Sequence, residues 1–359
     1  MRQILALAAI AAFVSACTLS ETVDSGVAPV VAASTRDSVD LAAWKTDSVN
    51  GKAFASNPSM SAIVPFGGKA FVILQRLDSS WGNSHKSVVV VVDPVTRRTE
   101  ANIVLPVANP TSYTIDGSTL YLACTGSYYD GTDGGIVALD MTARTARVVA
   151  PEANFGGVGS VAGIQVSGGK GFASVTSWPK TWIVPFDLAT GTVDSSISGI
   201  DSAGATLVVG GSLWIGLAKA GAPSLVRYDI ATKSLHDTIA MRLEPYDIQL
   251  ASDGRLAVLE THYNKGGGMA AFDLVDVSTK KTTNVRMMSH SNWALSVRAE
   301  GMYLFDRTSA VATLYSGANP KTVLLDENVG TGSNPYDAAK FGTETWVVRF
   351  GSNSLLILK

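Results

Sequence analysis

Glu260 and His262 are the strongest acid–base pair in the sequence. They are two residues apart, so on a β-strand both side chains point to one side of the sheet. A general acid or base built from them needs a partner within hydrogen-bond reach. The other histidines, His85, His236 and His290, show no HxH or HExxH spacing, and no elbow motif presents a nucleophilic serine. Asp130-Gly-Thr-Asp133-Gly-Gly has the flavour of a calcium loop but lacks the further carboxylates and the closing Glu of a complete site. Asn154-Phe-Gly-Gly-Val-Gly159 shares only its glycine content with a phosphate loop, without the Lys or the strand-to-helix context. No cofactor is expected on these grounds, with a divalent cation the one weak possibility.

The elements that must position such groups repeat. Apolar strands ending in aspartate recur at Asp93, Asp140, Asp187, Asp229 and Asp276, at intervals of 47, 47, 42 and 47 residues. Each opens a short turn: DPVTRR, DMTART, DLATGT, DIATKS and DVSTKK. An aspartate in that place accepts hydrogen bonds from N–H groups two or three residues on. A second series is centred on Phe71, Tyr121, Phe172, Trp214, Ala257, Tyr303 and Trp346, 42 to 51 residues apart. Gly-rich or Asp-Gly punctuation precedes each, supplying the positive φ of a tight hairpin. Strands before and after complete four antiparallel strands per unit, A to D, and helical periodicity is absent beyond the N-terminal segment.

Seven such units predict an all-β chain, a seven-bladed β-propeller of four-stranded antiparallel blades. The last unit reaches the chain end before its D strand. The segment near Ser38-Val39-Asp40-Leu41 can fill that place, so the ring is expected to close with an N-terminal strand. The propeller domain is placed at 38–359.

Propeller topology puts the A–B and C–D turns on one face and the B–C and D–A connections on the other. The first group is short throughout; the second is long and varied. The B–C loops gather Trp81, His85, Tyr128, Tyr129, Asp130, Trp178, His262 and Tyr263, a mix of aromatic and polar groups suited to a binding surface or to covering the blade ends. The D–A connections carry Asn57-Pro58, Asn109-Pro110, Glu244-Pro245-Tyr246-Asp247, Asn292-Trp293 and Asn334-Pro335-Tyr336-Asp337 near the axis. Asn334, Tyr336 and Asp337 are binding candidates there, although Asn-Pro is also plain turn chemistry.

The units resemble seven-bladed propellers of the YVTN or YncE-like type, through DPVT at 93–96, Asn109-Pro110, DGSTLYL at 116–122 and NPYD at 334–337. The resemblance covers about 300 residues, is best in the second unit, and implies architecture more than activity. The streptogramin lyases are similar in architecture. That similarity implies the alternative of a metal-dependent lyase-like or hydrolase-like enzyme at the channel mouth, with Glu260 and His262 as its residues.

The chain begins with Arg2 and an apolar run from Ile4 to Val14, too short to span a bilayer, ending in Val14-Ser15-Ala16-Cys17. This resembles the bacterial lipobox. It implies a lipoprotein signal peptide over 1–16, acylation (palmitate included) of Cys17, a flexible tether over 17–37 and anchoring at the cell envelope. Thr18 in place of aspartate directs such proteins to the outer membrane where the cell is Gram-negative. The expected partners are the membrane, through the Cys17 lipid, and an envelope protein or polysaccharide; the domain itself is expected to be monomeric. The 28 basic and 30 acidic side chains of the full chain give a net charge of −2, and the basic pairs Arg97-Arg98 and Lys280-Lys281 are isolated. That pattern excludes a nucleic-acid footprint. Cys124, on a strand, is expected to be a buried thiol.

Overall fold

The structure is a computed structural model. It describes residues 35–44, 58–77, 86–127, 132–156, 159–177, 180–200, 202–219, 221–262, 268–317 and 319–359. Seven antiparallel sheets follow one another along the chain. Their A strands are Met60–Phe66, Pro110–Asp116, Ser160–Ser167, Ala203–Val209, Glu244–Leu250, Trp293–Arg298 and Pro335–Phe341. All seven border one central cavity. The B strands are buried almost throughout, whereas D strands such as Thr99–Val104 and Ser234–Ala240 are mostly exposed. The order from axis to rim is therefore A, B, C, D.

Ring closure falls where the repeat count placed it. Arg36–Asp40 pairs antiparallel with Ser354–Leu358, so the first described strand becomes strand D of blade 7. It starts just ahead of the expected boundary at Ser38. Blade 3 departs from the four-strand pattern. Its sheet has three regular strands, and the fourth is reduced to an irregular run beside Lys180–Asp187. That run is held by a bridge from Phe186 to Val193 and by bonds from Asp194 N to the Pro185 carbonyl (2.8 Å) and Ile197 N to the Ile183 carbonyl (2.9 Å). The sequence there, GTVDSSISGI, interrupts its β-branched residues with Asp194-Ser195-Ser196 and Ser198-Gly199, groups that favour turns over a continuous pleated run.

The apolar residues sort into seven clusters, each lying between two consecutive blades, blades 7 and 1 included. This sorting follows from the period of two along a strand. Successive B-strand residues feed opposite clusters: Val72 joins Val348 and Trp346 on one side, while Phe71 and Ile73 join Leu120 and Leu122 on the other. The recurrent aromatics are core residues, with Tyr303 and Trp346 0% and Phe71 1% exposed. Tyr121 is half-buried and packs against the cluster between blades 2 and 3. Cys124 is buried, and burial pushes its thiol pKa up, away from the reactive thiolate form.

Both turn series work as read. Asp93 Oδ1 accepts from Val95 N (2.7 Å) and Thr96 N (3.0 Å), and Asp140, Asp187 and Asp276 hold their turns the same way. The fifth residue of each turn, Arg97, Arg144, Gly191, Lys233 or Lys280, takes a left-handed φ between 53° and 70°. In unit six the motif moves to the B–C connection, where Asp306 accepts from Thr308 N and Ser309 N, and Ala310 has a φ of 57°.

Because Trp346 fills the cluster that joins the last blade to the first, Trp346→Ala should cost about 3–5 kcal/mol of unfolding free energy. Urea titration followed by circular dichroism checks this, and a loss below about 1 kcal/mol would mean that the closing interface contributes little.

Candidate functional site at the channel mouth

The central cavity holds about 710 Å³, within the range of small-molecule sites. Its wall includes Arg307, on the B–C connection of blade 6, and the first residues of several A strands: Tyr246, Trp293, Tyr336 and Asp337. These lie on the face of the B–C and D–A connections.

Deeper in the cavity, Arg298 ends strand A of blade 6 and reaches across to three other blades. Its Nη2 donates to Asp337 Oδ1 and Oδ2 of blade 7 at 2.8 and 2.9 Å, to the Ile63 carbonyl of blade 1 at 3.1 Å and to the Tyr113 hydroxyl of blade 2 at 3.2 Å. Its Nε donates to the Ala338 carbonyl at 3.0 Å. Burial alone would lower the guanidinium pKa, but the Asp337 carboxylate and the Tyr113 phenol outweigh it and raise it further. Asp337 is 5% exposed and also accepts from Ile63 N (3.0 Å) and the Ser296 hydroxyl (2.5 Å). Burial pushes the Tyr113 hydroxyl up to about 12, so it stays protonated.

Similar polar bridges recur around the axis. Gln165 of blade 3 accepts from Val208 N of blade 4 (3.1 Å). Gln249 of blade 5 accepts from Val297 N (2.7 Å) and donates to the Leu295 carbonyl (2.8 Å) of blade 6. Glu152, fully buried, accepts from Gly134 N (3.0 Å) in blade 2 and Val161 N (2.7 Å) in blade 3. Gln249 Nε2 also donates to Asp247 Oδ2 at 3.0 Å. Desolvation pushes the Asp247 carboxyl up to about 6, against that hydrogen bond and with a small addition from Asp337.

Of the sequence candidates, Asn334, Tyr336 and Asp337 come together here. Asn334 has a φ of 52°, a left-handed conformation that Asn tolerates, and Asn109 matches it at 59°. The Asn334 side-chain oxygen accepts from Arg307 Nε at 2.7 Å. The Tyr336 hydroxyl accepts from Arg307 Nη2, and the guanidinium carbon lies 4.1 Å from the centre of its ring. In blade 1 the left-handed residue before strand A is Ser59; Asn57 lies outside the described residues.

Glu260 and His262 are placed elsewhere. Glu260 is fully buried within blade 5, does not border the cavity, and accepts from Leu243 N at 2.7 Å. Burial and the nearby Asp273 carboxylate raise its pKa well above the carboxylate range. No hydrogen bond joins it to His262, and among the described residues Glu260 Oε1 and His262 Nδ1 each lack a partner. Asp133 spends its carboxylate on Ser127, from N at 2.8 Å and Oγ at 2.7 Å. Among the described residues no three His, Cys, Asp or Glu side chains are grouped to hold a metal. Cys17, Trp81, His85, Tyr128, Tyr129, Asp130, Trp178 and Tyr263 all lie outside the described residues.

Sequence reasoning passed over Arg298 and Arg307. Arg298 is the one basic residue at its strand position, where the other units carry Phe66, Asp116, Ser167, Val209, Ala251 and Phe341. That anomaly is readable once the units are aligned residue by residue.

No family model matches the chain, and no curated protein matches it by sequence. Solved structures do. The hydrazine synthase of Kuenenia stuttgartiensis aligns with a TM-score of 0.60 and 14% identity, covering 87% of this chain and 99% of that one. Virginiamycin B lyase from Staphylococcus aureus gives 0.59 at 10% identity, over 91% of this chain and 99% of the other. The β-propeller domain of Cps50 (Swd1) from Myceliophteria thermophila gives 0.58 at 10%, over 83% and 96%. Likeness at such identities defines the class by fold alone. The chain is a seven-bladed β-propeller.

The titration of Asp247 has a definite sign. Its folded pKa of about 6 exceeds the ordinary value of about 3.9. Its contribution to stability is therefore fully present below pH ~4 and is lost as pH rises through 6. Unfolding free energy compared between pH 4 and 7 should show this decline in the native chain and a shallower one in Asp247→Asn. Identical slopes would contradict the desolvated placement of Asp247.

Proposed function

We propose that the protein is a lipoprotein of the bacterial envelope, related to the YVTN or YncE-like propellers, whose blade ring binds or scaffolds an envelope protein or glycan on its long-loop face. The observation that carries this reading is the contrast between the two faces. On one, the A–B and C–D turns are short and largely satisfied by their own Gly and Asp residues. On the other, the B–C and D–A connections surround an opening that presents Tyr246 (51% exposed), Tyr336 and Arg307. A rigid scaffold displaying aromatic and cationic groups on variable loops is the usual construction of a recognition surface.

The anchor rests on Val14-Ser15-Ala16-Cys17. No described helix is long and apolar enough to cross a membrane, and on this reading attachment is through lipid. Two or more acyl chains at about 0.8 kcal/mol per buried CH₂ make a stable anchor, which one chain does not. Trp81, His85, Tyr128, Tyr129, Asp130, Trp178 and Tyr263, which the sequence assigns to B–C connections, are the further candidates for this recognition.

Two measurements separate the parts of this reading. Cys17→Ser should abolish incorporation of labelled palmitate and move the protein from the membrane to the soluble fraction; retained label would remove the anchor. Changing Trp81, Tyr129 and Trp178 together to Ala should weaken recovery of cross-linked envelope partners at least ten-fold with the fold intact. Unchanged recovery would remove this face from consideration.

A further inference from the structure

Strand B of blade 5, Leu256–Thr261, and its strand C, Ala270–Asp276, bury two carboxyls on one side of the sheet. Glu260 is 0% exposed and Asp273 1%. Along strand B the residues alternate: Ala257 and Leu259 face blade 6, while Leu256 and Val258 join Trp214, Leu225 and Ile239 between blades 4 and 5. The period of two puts Glu260 on the blade 4 side, and Asp273 stands opposite Val258 on that side too. The two carboxyls are within hydrogen-bond reach of each other. Ionised carboxylates only accept, so this contact needs a proton.

The other contacts leave room for one. Glu260 Oε2 accepts from Leu243 N at 2.7 Å, and Asp273 Oδ1 accepts from Asn284 Nδ2 at 2.5 Å. Glu260 Oε1 and Asp273 Oδ2 are buried with no donor among the described residues. The charged groups around them are committed elsewhere. Arg227 of blade 4 pairs with Asp237 (2.8 Å) and reaches Asp229 (4.0 Å), and Lys280 of blade 5 also takes Asp237 (2.8 Å). Arg286 of strand D lies over the Trp293 ring, on the blade 6 side of the sheet. Arg242 is exposed on the connection into strand A, Glu244 opens that strand opposite Thr261, and His262 follows strand B with its Nδ1 unpartnered. No ion pair among the described residues includes Glu260 or Asp273. Two adjacent buried charges without a cation are strongly unfavourable, and one proton relieves both the repulsion and the desolvation.

We propose that Glu260 and Asp273 share one proton and form a pH-sensitive latch between blades 4 and 5. The proton lies between the two oxygens that lack a donor. The single negative charge left on the pair is stabilised by the Leu243 and Asn284 N–H groups. Through Leu243 N the latch holds the three-residue connection from Ala240 to Glu244, which leads into Tyr246 and Asp247 at the channel mouth. Loss of the proton sets two charges against each other and releases the Glu260 carboxylate together with this connection. The latch depends on neither the lipid anchor nor a partner.

Glu260 holds its proton more tightly folded than unfolded, through burial first and Asp273 second. The latch therefore contributes fully below about pH 4.5, loses strength as pH rises, and contributes nothing above the raised folded value. The test follows urea unfolding of the full chain between about pH 6.5 and 7.5, above the value of about 6 for Asp247. Relative to Glu260→Gln, whose amide donates to Asp273 without titrating, the native unfolding constant should rise about ten-fold over that unit. Asp273→Asn, which donates to Glu260 in the same way, should also flatten the profile, so the test survives if one isostere fails to fold. His262→Gln should leave the native slope unchanged. The carboxylic-acid carbonyl band in the infrared at pH 7 should be weaker in Glu260→Gln, and protection of the Leu243 amide from exchange should fall with pH in the native chain alone. Equal slopes in the native chain and both isosteres would overturn the shared proton. Stabilisation by added calcium or sodium that Glu260→Gln abolishes would put a cation there instead, and Leu243 protection independent of pH would overturn the latch.

Discussion

The inner strand of every blade has an edge that its own sheet does not pair. In a propeller that edge faces the axis and the next blade, where water is limited and the strand cannot be extended by another. Unpaired N–H and C=O groups there would cost about as much as lost hydrogen bonds. Side chains meet the need: Gln165, Gln249 and Asp337 each reach from one inner strand to backbone groups of the next. Glu152 does the same from the connection between blades 2 and 3. Arg298 ties four blades at once, and its charge makes Asp337 tolerable at 5% exposure. Polar residues on the axis are thus structural before they are functional, and a recognition group is one that this duty leaves unspent. Arg298 is spent on this duty, whereas Arg307 bonds the side chains of Asn334 and Tyr336.

The split between the two faces has the same origin. Where Gly and Asp satisfy a turn internally, as at Asp93 or Asp140, the chain reverses in a few residues and presents little. The connections that run from one blade's rim back to the axis vary in length, with three residues between Ala240 and Glu244 and eight between Pro151 and Ser160, so the expectation that all of them are long does not hold. The left-handed residues Ser59, Asn109 and Asn334, at the entry to their A strands, mark this passage. Asn-Pro there is a device of backbone direction, and the Asn334 side chain is then available to orient Arg307.

Much of the architecture was legible because it repeats. The aspartate series, 42 to 47 residues in period, and the aromatic series, 42 to 51, together gave the blade number, the turn chemistry and the closing strand at Val39. The aromatics at Phe71, Trp214 and Trp346 could be assigned to packing because they recur. Blade 3's irregular outer strand was less legible, since the aspartate turn that announces it is normal and only the residues after it fail. The channel was the least legible part. Arg298, Asp337 and Tyr113 are far apart in sequence and meet only because the ring closes, so no local spacing announces them. Glu260 and His262 show the converse: same-side spacing on a strand, but in blade 5 the two share no hydrogen bond and Glu260 lies away from the cavity.

The dependence of the ring on its inner bridges is tested most directly by a double-mutant cycle on Arg298 and Asp337, with Arg298→Met, Asp337→Asn and the pair, read as urea-unfolding free energies. Removing either partner leaves the other charge buried without compensation, so each single change should cost about 3–5 kcal/mol. The double variant should cost at least ~1 kcal/mol less than the sum of the singles, the coupling expected of groups in direct contact. Additive losses, or singles that cost less than about 1 kcal/mol, would contradict a ring held at its axis by this pair.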